Sequence, residues 1–334
     1  CFKRIQRIGL ILEDRKILII QTAFLGDVIL STSLIESISL AGKTKKIDFL
    51  LRKGNESVLE ANPNINKIWI WDKKQSKYKN QIRAERYDLV INVNRFGASG
   101  FLTAFSNAKT SIGFKKNPFS FLFNLKVAHE FNKHEIERNF ELLKAYNKEI
   151  KLVRPKLYPA KDNVNKVGQY IKSEYVTIAP ASVWFTKQLP VIKWVELISN
   201  IPQGIIIYLI GAKADEKLAD EIINQSEKKP EIINLCGQLK VLDTAELMKH
   251  AKMNYMNDSG PLHIASAMNA PSRAVFCSTV KEFGFGPLSD DGQIIEIKEK
   301  LDCRPCGLHG KKGCPEGHFN CAYKIELDQK SIGF

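Results

Sequence analysis

The chain has 334 residues, with 50 Lys and Arg against 36 Asp and Glu, a formal charge of +14. Its hydrophobic content of 44% and charged content of 26% are those of a globular protein and exclude global disorder. No run reaches the ~18 uninterrupted apolar residues of a membrane span.

The charge is unevenly placed. Residues 1–156 hold 29 basic and 15 acidic side chains, a net of +14, and residues 157–334 hold 21 of each. Such a length suggests about two domains of ~150 residues. The chain starts at Cys1 rather than Met, which reads as a missing start rather than an acylated lipoprotein terminus. Seven cysteines, four of them crowded into 303–321, do not form an even disulfide framework and point to a reducing cytoplasm.

In chain order, Lys16–Ile20 (KILII) reads as a buried strand and Val28–Leu40 as the helix after it. Ile47–Leu51, Lys67–Trp71 and Asp88–Val93 read as strands. A long amphipathic helix is expected over 130–148, with Phe131, Ile136, Phe140, Leu143 and Tyr146 near a 3.6 period. Lys151–Ala160 carries two prolines and no period, as a linker should. The alternation then restarts. Strands are expected at Tyr175–Ala179, Ile205–Ile210, Glu231–Leu235, Lys252–Met256 and Arg273–Cys277. Helices are expected near 190–200, 213–226, 243–251 and 261–268. Apolar strands alternating with helices argue for parallel sheets covered on both faces, and the restart argues for two of them. Ligands of such sheets bind beyond the carboxyl ends of the strands, and a cleft between two such domains is the expected site.

Three post-strand segments carry candidate chemistry. In QTAFLGDVILST (21–32), Gly26 permits a tight turn or a close ligand approach. Asp27 at the helix start is either an N-cap or a carboxylate that removes a proton from an acceptor hydroxyl. In NDSGPLHIASA (257–267), Ser259 and Gly260 open a helix with Pro261 in its first turn, a ready phosphate site flanked by Asp258 and His263. In APASVWFTKQLP (179–190), Lys187 follows a strand of the same half. It is either a solvated surface charge or a partner of that helix start on one diphosphate. Phosphate-loop, GxGxxG, HExxH and GxSxG patterns are absent, and no DxD pair ends a strand.

The three motifs, in this order and spacing, resemble the ADP-heptose:lipopolysaccharide heptosyltransferase family (glycosyltransferase family 9), heptosyltransferase II-like members included. Looser matches are Ser111–Lys116, Leu209–Ile222 and Leu235–Met248. The resemblance covers residues 16 to about 325 and implies a glycosyltransferase-B architecture, two Rossmann-like doubly wound α/β domains facing across a cleft. It assigns 1–156 to an acceptor-binding domain, with 1–15 as an extra leading segment, and 157–334 to an ADP-sugar-binding domain. It implies an inverting, metal-independent transfer of heptose from ADP-heptose to a phosphorylated, lipid-linked inner-core acceptor of lipopolysaccharide. Asp27 then looks like the general base and Lys187 like the diphosphate lysine. Asp258, Ser259, Gly260, Pro261 and His263 look like the donor loop. Thr22, Ala23 and Gly26 line the site from the first domain, with Ser182 and Glu216 as further donor contacts. Leu189 stands where the family commonly has Trp.

Cys303, Cys306, Cys314 and Cys321 have the spacing C-x2-C-x7-C-x6-C, which is open to a structural zinc or an iron–sulfur cluster, or to reduced thiols alone. A similar tail occurs in heptosyltransferase II-like members. Two other functions compete: a related transferase with another nucleotide sugar or acceptor, and a basic nucleic-acid binder. The latter is prompted by Lys73, Lys74, Lys77, Lys79, Arg83 and Arg86 but has no accompanying RNA- or DNA-binding signature. The favoured reading expects no nucleic-acid partner. It sets the basic half on the anionic cytoplasmic face of the inner membrane. Phe119–Leu125 (FSFLFNL) is expected mainly in the core, with membrane contact as its other reading.

Overall fold

A computed structural model describes residues 15–42, 46–71, 75–227 and 231–334, with the side chains of 75–77 left out. The leading segment through Asp14 and the side chains of Lys73, Lys74 and Lys77 lie outside the described residues. The chain divides into two compact units, residues 1–158 and 159–334.

The first unit holds strands β1 (Lys16–Gln21), β2 (Lys46–Arg52), β3 (Ile65–Trp71), β4 (Leu89–Asn92), β5 (Thr110–Phe114) and β6 (Leu125–Val127). Its helices are α1 (Leu25–Ala41), α2 (Gln75–Glu85), α3 (Gly97–Ala104) and α4 (Glu135–Tyr146). The sheet order is β3-β2-β1-β4-β5-β6 with every pair parallel. Ile17, Leu18, Ile19 and Ile20 are fully buried, which is why β1 reads as an unbroken apolar run: helices cover both faces.

The second unit holds α5 (Lys161–Val167), β7 (Tyr175–Ala179), α6 (Val191–Asn200), β8 (Ile206–Leu209), α7 (Glu216–Gln225), β9 (Ile232–Asn234) and α8 (Val241–His250). Then come β10 (Met253–Asn257), α9 (Gly260–Met268), β11 (Ser272–Phe276), β12 (Gly292–Glu296), α10 (Asn320–Tyr323) and α11 (Gln329–Ile332). Its order, β12-β11-β10-β7-β8-β9, is again all parallel. Renumbered within the unit, it repeats the first sheet. Each sheet reverses direction beside its first strand, between β1 and β4 and between β7 and β10, and ligands of doubly wound sheets bind at such switch points.

The proline-containing segment after α4 is strapped onto α1. The Val153 and Lys156 N–H groups donate to the Ser37 and Thr32 hydroxyls, each at 3.0 Å, and the Tyr158 hydroxyl donates to Glu36 at 2.7 Å. These bonds keep the chain within the first unit through Tyr158.

Three expectations are corrected. The long helix begins at Glu135, not 130, and Phe131 lies ahead of it at 41% exposure. The His134 ring nitrogen accepts the Ile136 N–H at 3.3 Å and Glu137 accepts the His134 N–H at 2.8 Å, so the cap starts the helix there. Phe119–Leu125 is only partly core. Phe123 is buried, whereas Phe121 is 70% exposed and Leu122 46%, because a single 3-10 turn over Ser120–Leu122 points both away from the sheet. Gly26 lies inside the first turn of α1 and makes no tight turn.

Candidate active site

In the second unit the loop after β7 is pinned at both ends. Asn257, the last residue of β10, accepts the Leu189 N–H at 2.9 Å and donates to the Pro180 carbonyl at 2.8 Å. The Gln188 side chain accepts the Ser182 N–H at 3.2 Å. Leu189 is fully buried, so it serves as the packing anchor of this loop. With its flanks fixed, the loop delivers Lys187 to the switch point. Lys187 Nζ lies 2.7 Å from Asp258 Oδ2, and the two side chains are 15% and 8% exposed. The Thr279 hydroxyl also donates to Asp258 Oδ2, at 2.8 Å.

Asp258 stands directly before α9. Ser259 is the N-cap, Gly260 opens the helix and Pro261 follows in the first turn. A proline there loses no helical hydrogen bond, the Leu262 N–H turns back to the Ser259 carbonyl at 3.1 Å, and the start of α9 presents the positive end of its dipole to an anion. His263 sits one turn in, buried, with its ring centroid 6.1 Å from that of Phe285. One lysine, one carboxylate and one helix start therefore meet beyond the ends of β7 and β10. Glu216, after β8, is held by Lys213 at 2.6 Å.

In the first unit the loops after β1 and β4 are locked together by Gln21 and Asn94. Asn94 Oδ1 accepts the Thr22 N–H at 2.8 Å and its hydroxyl at 3.1 Å. Gln21 Oε1 accepts the Ala23 N–H at 3.1 Å and the Asn94 side-chain amide. Asn117 extends the lock by donating to the Asn94 and Phe96 carbonyls. Asp27, in the first turn of α1, accepts the Phe24 N–H at 3.1 Å. Asp27 thus helps to close the helix start from the third helical position, reaching back to the N–H of the N-cap residue Phe24.

Cations gather on the same side of this unit. Arg95, Lys116 and Arg138 each lie within 6 Å of the Phe131 ring centroid, at 5.7, 4.4 and 5.9 Å. Arg138 is buried, donates to Glu135 at 2.9 Å and holds the Glu130 and Phe131 carbonyls at 3.0 Å each. Burial pushes the Glu135 carboxyl up to about 7. The Asp27 charge adds to the rise, while Arg138 and Arg95 oppose it. Burial first, then Arg95, Arg138 and Lys116, pull His129 down to about 4, so its ring is neutral at physiological pH.

Asn94, Arg95, Glu135, Arg138 and Thr279 were not singled out from sequence. For Asn94 and Arg95 the local signal was a run of polar residues (NVNR, 92–95) at the end of an apolar strand.

The metal reading of the cysteine tail finds no support among the described residues. Among the described residues no group of three or more His, Cys, Asp or Glu is arranged to hold a metal ion. The six described cysteines are free thiols. Cys306 Sγ turns onto the Cys303 carbonyl at 3.2 Å, and Cys303 Sγ faces His318 Nε2 at 3.9 Å. Cys321 is buried in α10 and its thiol is pushed up to about 12 by burial, which keeps it protonated and inert. Phe319, Cys321, Ala322, Ile325 and Leu327 belong to the core of the second unit, so packing accounts for that end of the tail.

The sequence pattern of glycosyltransferase family 9 (heptosyltransferase) matches residues 76–316. Lipopolysaccharide heptosyltransferase 3 of Escherichia coli K12 is 27% identical over 281 residues, 76% of this chain and 80% of that protein. A glycosyl transferase family 9 structure from Veillonella parvula superposes with a TM-score of 0.77 at 19% identity, over 86% of this chain and 87% of that one. The E. coli ADP-heptose lps heptosyltransferase II structure gives a TM-score of 0.75 at 22% identity, over 87% and 95%. The two structures establish the fold, glycosyltransferase-B. The family pattern spans most of the chain and embraces the Lys187 and Asp258 loops. This chain therefore belongs to glycosyltransferase family 9, the heptosyltransferase family, and is a glycosyltransferase.

Proposed function

We propose that the protein transfers heptose from ADP-heptose to a lipid-linked, anionic inner-core acceptor of lipopolysaccharide, with inversion and without a metal ion. The observation that carries the reading is the Lys187–Asp258 pair at the start of α9, at the switch point of the second sheet. The departing group is a nucleoside diphosphate, and its growing charge needs cations or N–H dipoles aimed at it. Lys187 and the positive dipole end of α9 supply both. Asp258 sets the lysine and, through Thr279, is itself set. Ser259, Gly260, Pro261 and His263 complete the donor loop, and Ser182 and Glu216 belong to its periphery.

Inversion requires one attack from the face opposite the leaving group, by a hydroxyl that must lose its proton. Asp27 takes that proton as general base. Thr22, Ala23 and Gly26 shape the backbone in front of it, held by Gln21 and Asn94. Arg95 and Lys116, near Asp27's end of the first sheet, fit the negative groups of a phosphorylated acceptor.

The acceptor is a lipid, and the first unit is suited to an anionic membrane surface on the cytoplasmic side. Phe96 is 62% exposed and Phe121 70%, with Lys115 and Lys116 exposed nearby in sequence. Each basic residue held close to such a surface contributes ~1 kcal/mol. Among the described residues no helix is long and apolar enough to cross a membrane.

The test is incubation with ADP-heptose, other nucleotide sugars and acceptors of defined core length, with product mass read by mass spectrometry. A heptosylated product that forms only with ADP-heptose and survives chelator treatment supports the reading. Transfer from a different nucleotide sugar replaces it with the related-transferase reading.

A further inference from the structure

We infer that the cysteine-rich tail is a working part of the donor half and that Thr186, gripped by it, is a positioning residue for Lys187. This rests on the reading of Lys187 as the diphosphate lysine. Thr186 is 1% exposed and bonded on every polar side. Its N–H donates to the Lys311 carbonyl at 3.1 Å and its carbonyl accepts the Ser278 N–H at 3.2 Å. Its hydroxyl oxygen accepts the Lys311 N–H at 2.7 Å and the Ser278 hydroxyl at 3.0 Å. Lys187 is the next residue. A lysine side chain has about 2 kcal/mol of rotamer freedom to lose, so fixing its root matters for where its charge sits.

The tail approaches the lysine closely. Gly310 has φ of +76°, and a Cβ there would lie 2.9 Å from Lys187 Cγ and 3.1 Å from the Thr186 hydroxyl oxygen. Only glycine fits such a left-handed turn against the lysine stem.

The same tail sets the other partner of the pair. Arg304 donates to the carbonyls of Cys277, Phe276 and Thr279 at 2.7, 3.1 and 2.8 Å and to Glu296 at 2.5 Å. The Cys306 N–H donates to the Ser278 carbonyl at 3.0 Å. These bonds fix the turn carrying Ser278, which holds Thr186, and Thr279, which holds Asp258. Through Lys311 on one side and Arg304 on the other, one strap aligns both members of the Lys187–Asp258 pair.

A clamp that works through Lys187 loses its effect when Lys187 is gone, and a purely structural role does not. The experiment measures ADP affinity by titration calorimetry for wild type, Thr186→Val, Thr186→Ser, Lys187→Ala and the two double variants, with melting temperatures alongside. Thr186→Val keeps shape and loses the hydroxyl. It is expected to weaken ADP about tenfold, the equivalent of one hydrogen bond of ~1.4 kcal/mol, with Thr186→Ser restoring affinity. In the Lys187→Ala background Val and Ser at 186 are expected to bind alike. Unchanged affinity in Thr186→Val, beside a loss in Lys187→Ala, overturns the clamp alone. A full tenfold loss in both backgrounds also overturns it. Wild-type affinity in Lys187→Ala refutes the diphosphate reading and the clamp with it. If Thr186→Val does not fold, Ser278→Ala, which removes only the hydroxyl reaching Thr186, takes its place.

Discussion

Asp27 does a structural job that is visible and a chemical one that is proposed, and two substitutions separate them. As a cap, its carboxylate accepts the Phe24 N–H at 3.1 Å on an exposed helix end. Removing this third-position carboxylate, which closes the helix start and sits at the positive dipole end, costs ~1 kcal/mol. In a unit of 158 residues that is a fall of about 2–4 °C in melting temperature. Asparagine keeps an acceptor oxygen in the same place, so Asp27→Asn is expected to melt with the wild type, and Asp27→Ala a few degrees lower. As a base, the carboxylate is worth about 10²–10⁴ in rate, and asparagine cannot take a proton. Both variants are therefore expected to lose at least about a hundredfold in turnover, measured as ADP release with saturating donor and acceptor. A second readout is independent of turnover. The Asp27 charge helps to raise Glu135, so Asp27→Asn lowers the Glu135 titration midpoint, observable by carboxyl carbon NMR. Should Asp27→Asn retain activity within tenfold while Asp27→Ala merely melts early, Asp27 is a cap and the base lies elsewhere.

Two further perturbations test the first unit. Glu135 has a folded-state value above its ordinary one, so its stabilisation is present below about pH 4.5 and is lost as pH rises toward 7. His129 has a folded value below its ordinary one, so its stabilisation is present above about pH 6.5 and lost as pH falls toward 4. In the wild type the two slopes oppose each other; Glu135→Gln is expected to leave the His129 slope uncovered, with stability rising from pH 4 to 6.5 in thermal melts. A pH profile parallel to the wild type's counts against the buried-carboxyl account. At the proposed membrane face, Phe121→Ser with Leu122→Ser removes two exposed apolar side chains and is expected to cut sedimentation with anionic vesicles about tenfold or more, from the loss of ~2–4 kcal/mol of apolar burial. Neutral vesicles should bind the wild type weakly. Binding that is equal on both vesicle types, or unaffected by the double change, removes the proposed docking role.

How much of this was legible in the sequence depended on whether the signal was local. The central strands of each sheet were visible as apolar runs because they are buried on both faces: β7 is buried end to end and β1 at every position after Lys16. The strands that went unread, β5, β6 and β12, are short edge or near-edge elements interrupted by Gly113, Lys126 and Gln293. Gly113 shows why such a residue belongs in a strand. A Cβ there would sit 2.5 Å from the Phe123 ring, so a contact between β5 and the approach to β6 is recorded only as a missing side chain. The helix expected from 130 began at 135 because a cap, not the apolar period, decides where a helix starts.

For the site, the residue types and their order were enough to bring Asp27, Lys187 and the Asp258–His263 segment forward and to carry the family resemblance. Spacing along the chain determined that each follows a strand. Tertiary structure alone decided their company. The sheet order sets β10 beside β7, and only that adjacency puts Asp258 2.7 Å from a lysine 71 positions earlier. Likewise β4 beside β1 gives Thr22 its Asn94 partner. The cysteine tail is the sharpest contrast. Its spacing suggested a ligand set, but the thiols follow backbone and core, and the polar groups between them grip the Lys187 loop. Periodicity and spacing report which face of an element is buried. Which loop meets which is fixed by hydrogen bonds between residues far apart in the chain, and no local pattern records those.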